Sequence, residues 1–520
     1  MSDFNSRVAL RRLAMRAVGW IAVVVAGTAQ AATPGITGPS FDLVAAPGYI
    51  SQPDGASIYS WGYGCNKAPA GSRFVPATIA TAKCPAGQMQ LPGPTLVVTE
   101  GQTVTVTLTN KLPAAAGNTS ILFPGMDVAT TGGSAGLLTQ EAATNDTVTY
   151  TFTAKLPGTH AYYSGTQGDL QVEMGLFGAL IVLPSTVPAA CSGTAVDTAK
   201  LLDRGNGTPK DFRLANAAFN HASACYDREY LFQFSEIDPR IHRQALEQSG
   251  LACSAPTGCM TVDTEPYHAV YFLINGRSMP DLADPHYAPQ YPLQPYNGNP
   301  HMHPGEMTLA RIVGQGRMQH PFHEHANHLR VLARDGNPLL TTTTNKLAGP
   351  LLFTTTTTPG QTIDALFQWT AKGLNWDVYA HADGATTEVC TPDANGYHSV
   401  PTDNHFYEWC PDHKKALEAK PFGSVGAGGP VTLPDPNILA NGAWYAGSPY
   451  FGPDATARAA GPTPIPPFGT VGNDPGSEAG FAYMWHSHNE REITTNNIFP
   501  GGMMMMMLVD PWVFLIDESN

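Results

Sequence analysis

Apolar and polar residues alternate with period two along most of this chain, the spacing of strands with one buried face. Pro94 to Thr109 holds two such runs split by a Glu100-Gly101-Gln102 turn. Thr147-Val-Thr-Tyr-Thr-Phe152 repeats the alternation, and Leu176-Phe-Gly-Ala-Leu-Ile-Val-Leu183 is a continuous apolar run that reads as a buried strand. Further strands are predicted at Arg228–Phe234, Ala269–Ile274, Met307–Val313, His328–Leu332, Thr362–Trp369, Phe481–His488 and Met503–Val509. Two threonine runs, Thr341–Thr344 and Thr354–Thr358, suit strand or loop. Short strands separated by Gly and Pro predict an all-β chain of sandwich type.

The runs fall into two groups. Residues 40–185 and 224–515 are expected to be two β domains, joined by a linker at 186–223 with many small residues and no clear periodicity. Within the second, residues from about 383 to 478 are rich in Pro, Gly and Asn and read as a long irregular insertion.

Composition agrees with this reading. Charged residues make up 13% of the 520, against roughly 25% in an average domain, while Gly (52) and Pro (45) are abundant. A net charge of -14 argues against a nucleic-acid partner. At the N-terminus, Arg7, Arg11, Arg12 and Arg16 precede an apolar run from Val18 to Ala26 and a small-residue site at Ala29-Gln-Ala31. Residues 1–31 therefore read as an export signal, which implies a periplasmic or extracellular protein without a membrane span. Eight cysteines in an exported chain read as disulfides, and nearest-neighbour pairing gives Cys65–Cys84, Cys191–Cys225, Cys253–Cys259 and Cys390–Cys410.

The chemistry concentrates in two stretches. His486-Ser-His488 places two imidazoles on one face of a strand, where they can bind one metal or straddle two. His320-Pro-Phe-His323-Glu-His325-Ala-Asn-His328 supplies a second cluster. Glu324, Glu490 and Glu492 stand beside the histidines, with Arg491 as the local counter-charge. Glu492 is the candidate base or carboxylate ligand.

The order of these pieces resembles the multicopper oxidase family, built from cupredoxin-like domains. The first domain carries Pro94-Thr-Leu, Thr139-Gln140, Tyr150-Thr-Phe with Pro157-Gly158-Thr159, and Gly175-Leu-Phe-Gly-Ala-Leu-Ile-Val182. The second carries Phe272-Leu-Ile-Asn-Gly-Arg-Ser278, then His320-Pro-Phe-His-Glu-His325, then His486-Ser-His488 with Gly502-Met503. The resemblance implies two cupredoxin-like Greek-key β-sandwiches, and two-domain relatives imply a homotrimer. Such oxidases take electrons at a type-1 copper and reduce dioxygen at a three-copper cluster held by four His-x-His pairs.

Matched to that pattern, the first domain has lost its ligands. Leu122 and Pro124 stand where one histidine pair is expected, and Tyr163 and Gly165 where the other is. In the second domain His323, His325, His486 and His488 match cluster ligands. His320 matches the first type-1 histidine, but Ser487 replaces the thiolate and Glu492 the second histidine. Without a thiolate no blue copper site forms. The resemblance thus implies a reduced site of one or two copper ions, with zinc as an alternative, held by His323, His325, His486 and His488 and extended by His320. The opposing reading is a relic in which these histidines bond to one another or to water. His301-Met302-His303 reads as a loop pair, and Met503–Met507 as core filler, although thioethers suit Cu(I).

Overall fold

The computed structural model describes residues 33–75, 84–201, 213–374, 390–403, 406–413, 447–450 and 480–510, with Trp512 and Ile516. The expected export signal lies outside the described residues, as does most of the expected insertion.

The first group of strands is β1 (Gly35–Thr37), β2 (Ser40–Ser51), β3 (Ser57–Cys65), β4 (Phe74–Val75), β5 (Leu96–Thr99), β6 (Thr103–Asn110), β7 (Ala129–Gly132), β8 (Ser134–Ala135), β9 (Gln140–Glu141), β10 (Thr147–Thr153), β11 (Gly158–Tyr163) and β12 (Phe177–Leu183). They form two five-stranded sheets, β3-β2-β6-β10-β7 and β11-β12-β5-β1-β4, beside a small β8-β9 pair. The alternation sets the facing. In β6 and β10 the pairs Val104–Phe152, Val106–Tyr150 and Leu108–Val148 point inward, while Thr107 and Thr149 point outward and share a 3.1 Å hydrogen bond.

The second group is β13 (Arg228–Ile237), β14 (Tyr271–Ile274), β15 (His301–Met302), β16 (Met307–Gly314), β17 (His320–Glu324), β18 (Leu329–Arg334), β19 (Asn337–Pro338), β20 (Leu351–Leu352), β21 (Thr354–Thr357), β22 (Thr362–Gln368), β23 (Gly447–Tyr450), β24 (Gly480–Ser487) and β25 (Met504–Val509). One sheet runs β14-β13-β16-β22-β18-β19, and the facing one runs β15-β25-β24-β17-β21 with β23 paired to β24. Between them lies a core of Phe232, Phe234, Phe322, Phe367 and Trp485. Both groups are sandwiches, as the all-β cupredoxin-like expectation requires.

The two sandwiches are stacked. Ala161 and Ala179 pack on Leu231 and Val313, so β12 and β13 are buried on both faces. This explains the unbroken apolar run at 176–183. The same junction holds a buried polar joint. Arg311 donates to Glu229 at 2.6 Å and to Asp364 at 3.3 Å, and Asp364 accepts from the Thr159 amide and hydroxyl across the junction.

One expectation needs revision. The 186–223 stretch is not simply irregular, because Ala195–Leu201 is a helix. The Asp197 amide donates to the Thr194 hydroxyl while the Thr194 amide donates to the Asp197 carboxylate, a reciprocal cap. Of the threonine runs, the first is turn and the second is β21. The structure pairs Cys65–Cys84, Cys191–Cys225, Cys253–Cys259 and Cys390–Cys410. Among the described residues no helix is long and apolar enough to cross a membrane.

Removing one partner of a buried ion pair leaves the others uncompensated, which costs about 3–5 kcal/mol. Arg311→Ala is therefore expected to lower the urea midpoint by a corresponding amount, followed by tryptophan fluorescence. An unchanged midpoint would show that the joint does not hold the sandwiches together.

Candidate metal centre

Strand parity decides where each histidine goes. On β17, His320, Phe322 and Glu324 share the inner face, and His323 turns outward. On β24, Trp485 is inner, and His486 lies directly opposite His323 in register. His325 follows the end of β17 and rejoins the outer side, where its Nε2 lies 3.2 Å from His486 Nε2.

Ligand nitrogens of His323, His325 and His486 all lie within 4.8 Å of one another. Two nitrogens bound to one tetrahedral ion at about 2.0–2.1 Å stand about 3.3 Å apart, close to the separation of His325 and His486. The ring orientations are fixed from behind. His323 Nδ1 lies within hydrogen-bond distance of the Thr354 hydroxyl at 2.8 Å, and His486 Nδ1 donates to the Ser487 carbonyl at 2.8 Å. For His486 that bond places the proton on Nδ1 and turns Nε2 toward His325. Burial pushes the His323 pKa down to about 4, and the neighbouring His325, His486 and His488 push in the same direction. Burial also lowers His486. Neutral imidazoles are what a metal needs.

His488 sits at the margin of this group. Its ring centroid is 4.8 Å from that of His323, its side chain is 52% exposed, and it lies 3.5 Å from exposed Glu490. The three converging nitrogens come from the other histidines.

His320 departs from its expected place among the ligands. It is fully buried on the inner face, with Nδ1 2.8 Å from Glu492 Oε2 and Nε2 2.9 Å from Glu236 Oε2. Carboxylate oxygens sit at both ring nitrogens, so no lone pair is left for a metal. Burial alone would lower its pKa, but the hydrogen bonds and charges of Glu236 and Glu492 outweigh it and hold the value at about 9. Glu492 is likewise not an exposed base. Its Oε2 accepts from Ser487 and from His320, and its Oε1 accepts from Asn489 at 2.8 Å. Arg491 is not its counter-charge either, since that guanidinium donates to Asn497 and to the Ala269 carbonyl. Glu324 is buried beside Thr355, and burial raises its pKa well above the usual carboxyl range.

The three residues at the type-1 positions are thus brought together, but as a proton-bearing cluster. It continues inward through Tyr267, whose hydroxyl lies 3.3 Å from Glu236 and 2.7 Å from Glu173 of the first sandwich. Burial and then the charge of Glu236 raise the Glu173 pKa to about 8. Glu236, Tyr267 and Glu173 were not legible as partners, because they lie far from His320 in sequence.

In the first sandwich the two stretches where the resemblance expects histidine pairs lie side by side. Leu122 and Tyr163 are bridged backbone to backbone, and a Cβ on Gly165 would meet the Leu122 side chain at 2.8 Å. A second converging group, Cys390, His398 and Cys410, offers no thiolate because its two sulfurs form a disulfide.

Fold and site together define a β-sandwich protein with a three-histidine metal-binding geometry. Residues 74–186 match the family model described as multicopper oxidase. An L-ascorbate oxidase of Brassica rapa subsp. pekinensis is 37% identical over 99 residues, which cover 18% of this chain and 16% of that protein. Among solved structures, a multicopper oxidase aligns at 15% identity and TM-score 0.45, over 92% of this chain and 87% of its own. The blue copper oxidase of Nitrosomonas europaea aligns at 14% identity and TM-score 0.44, over 90% and 85%.

Two outcomes follow from the inner-face cluster. A group whose pKa is higher in the fold than in the unfolded chain stabilises the fold while protonated. For Glu173 that contribution is complete below 4.5 and lost as pH rises through about 8. For His320 it is complete below 6.5 and lost through about 9. The melting temperature is expected to fall from about pH 6 to about pH 10, and a flat profile would contradict the assignment. Restoring a thiol alone should not restore a blue site, because His320 stays bonded to both carboxyl groups. Copper-loaded Ser487→Cys is expected to lack the intense visible thiolate band, and its appearance would show that His320 can turn to a metal.

Proposed function

We propose that the protein is an exported, copper-binding member of the multicopper oxidase family, of oxidoreductase type, with one reduced histidine site in its second domain. The proposal takes residues 40–185 and 224–515 as the two domains, joined at 186–223. The observation that carries it is the convergence of His323, His325 and His486, with Nδ1 of His323 bonded to the Thr354 hydroxyl and Nδ1 of His486 to the Ser487 carbonyl. Imidazole donors suit Cu(II) and also Zn(II), and the family favours copper. Bound there, copper would supply a redox-active Lewis acid.

The residues around the site define what it does without a type-1 centre. Thr354 and the Ser487 carbonyl orient the rings. Exposed His488 flanks the mouth, and Phe353 lies against His323 and His328 as an apolar wall. The Ser487 hydroxyl, where a thiolate would stand, is spent on Glu492. Ordinary laccase chemistry needs that thiolate to pass electrons inward, so the reading is a simple copper site beside a buried proton-bearing cluster.

Metal analysis and EPR of the purified protein after copper loading test this. One Cu(II) per chain is expected, with loss of binding in His323→Ala and His486→Ala. Thr354→Val is expected to weaken binding about 10- to 100-fold, and Thr354→Ser to retain it. A protein that stays copper-free after loading would sink the proposal.

A further inference from the structure

The five-methionine run divides by the same parity as the histidines. Met503, Met505 and Met507 are fully or almost fully buried in the core between the two sheets of the second sandwich, beside Trp485 and Tyr483. They are core filler, as a methionine run most often is. Met504 and Met506 are absent from that core and project from the outer face of the sheet, the face that carries the histidines.

The register places them closely. Met504 lies directly opposite His486, and Met506 directly opposite Met484. Paired residues on one face of an antiparallel sheet have Cβ atoms about 4.5–5.5 Å apart, and successive pairs follow at about 7 Å. The thioethers of Met504, Met484 and Met506 therefore form a row that starts at His486. Met504 is buried, and Met484 and Met506 are half-buried. The next pair on the face is Ala482 with Leu508, and Leu508 is paired in turn with His301 of β15. His301 is 3% exposed, its Nδ1 donates to Asp510 at 2.7 Å, and its buried Nε2 has no hydrogen-bond partner. That leaves a lone pair at the far end of the row.

Imidazole alone does not choose between oxidation states, whereas uncharged, polarisable thioethers prefer Cu(I). We propose that Met484, Met504 and Met506 form a Cu(I)-binding row on the outer face of the sheet, continuous with His486 at one end and reaching toward His301 at the other. The inference rests on the copper reading of the histidine site and adds the oxidation state and the ligands to it. No electron transfer is required, because the row binds copper already reduced.

The test is an anaerobic Cu(I) titration of the full-length protein against a chromophoric Cu(I) chelator. A parallel titration uses Cu(II). The variant is Met484→Leu/Met504→Leu, which keeps side-chain volume and apolarity and so should preserve packing. Cu(I) affinity is expected to fall at least about tenfold while Cu(II) binding is unchanged. X-ray absorption of the Cu(I)-loaded wild type is expected to show copper–sulfur scattering, a readout that needs no variant. Unchanged Cu(I) affinity in the variant, or nitrogen-only scattering, overturns the thioether row and leaves the histidine site standing. Failure of the wild type to hold Cu(II) overturns the histidine site itself.

Discussion

A buried imidazolium between two carboxyl groups organises the second sandwich. His320 is held by Glu236 on β13 and by Glu492 after β24, so one side chain ties both sheets of the sandwich together from inside. Burying an ionisable ring is costly, and it is tolerated only when both nitrogens are satisfied. Here they are, and the chain of contacts continues through Tyr267 to Glu173 in the first sandwich. The resemblance would place a type-1 copper at these positions, with its charge neutralised by a thiolate. A proton on imidazole, facing carboxyl groups, supplies a positive charge at the same place without a metal. Ser487 and Glu492 then fit together, since a hydroxyl donates to a carboxylate where a thiolate would be repelled by one.

The second constraint is strand parity. His320 and His323 lie three residues apart on β17, an odd spacing, so they must face opposite sides of the sheet. His486 and Ser487 are neighbours on β24, and they divide in the same way. The inner side takes His320, Ser487 and Glu492, and the outer side takes His323 and His486. Two sites of different character therefore share two strands. A change on one face need not disturb the other, because the sheet lies between them. This separation lets the inner face hold a buried cluster of acids and imidazole while the outer face presents three converging imidazoles.

Much of this could be read from residues alone, and the exceptions share a cause. Alternation located the strands, since burial of one face imposes it directly. Nearest-neighbour logic located the disulfides because short loops close easily. The fate of His320 was hidden because its partner Glu236 lies on a different strand, 84 residues away. The burial of Glu324 was hidden because a buried acid and an exposed one have the same letter, and only the parity of β17 separates them. The helix at Ala195–Leu201 was marked by Thr194 and Asp197, three apart, a capping signal that was present and unused. The close approach of Leu122 to Gly165 required the fold, because only there do the two segments meet.

The outer site also bears on why the methionines are consecutive. A strand that lines a core needs apolar residues at alternate positions only, and Met503, Met505 and Met507 meet that need. The alternate positions of such a strand are usually polar when they face water. Met504 is buried and Met506 half-buried, so the outer face beside His486 and Met484 is covered rather than open to water. Burial against Ala482 and Leu508 accounts for part of Met506, but any aliphatic side chain would serve there equally. What methionine adds over leucine is a sulfur lone pair on a flexible stem. A run that is methionine on both faces therefore combines packing on one side with donor atoms on the other. The donors begin opposite His486, whose Nε2 lies 3.2 Å from His325 Nε2 in the ligand cluster.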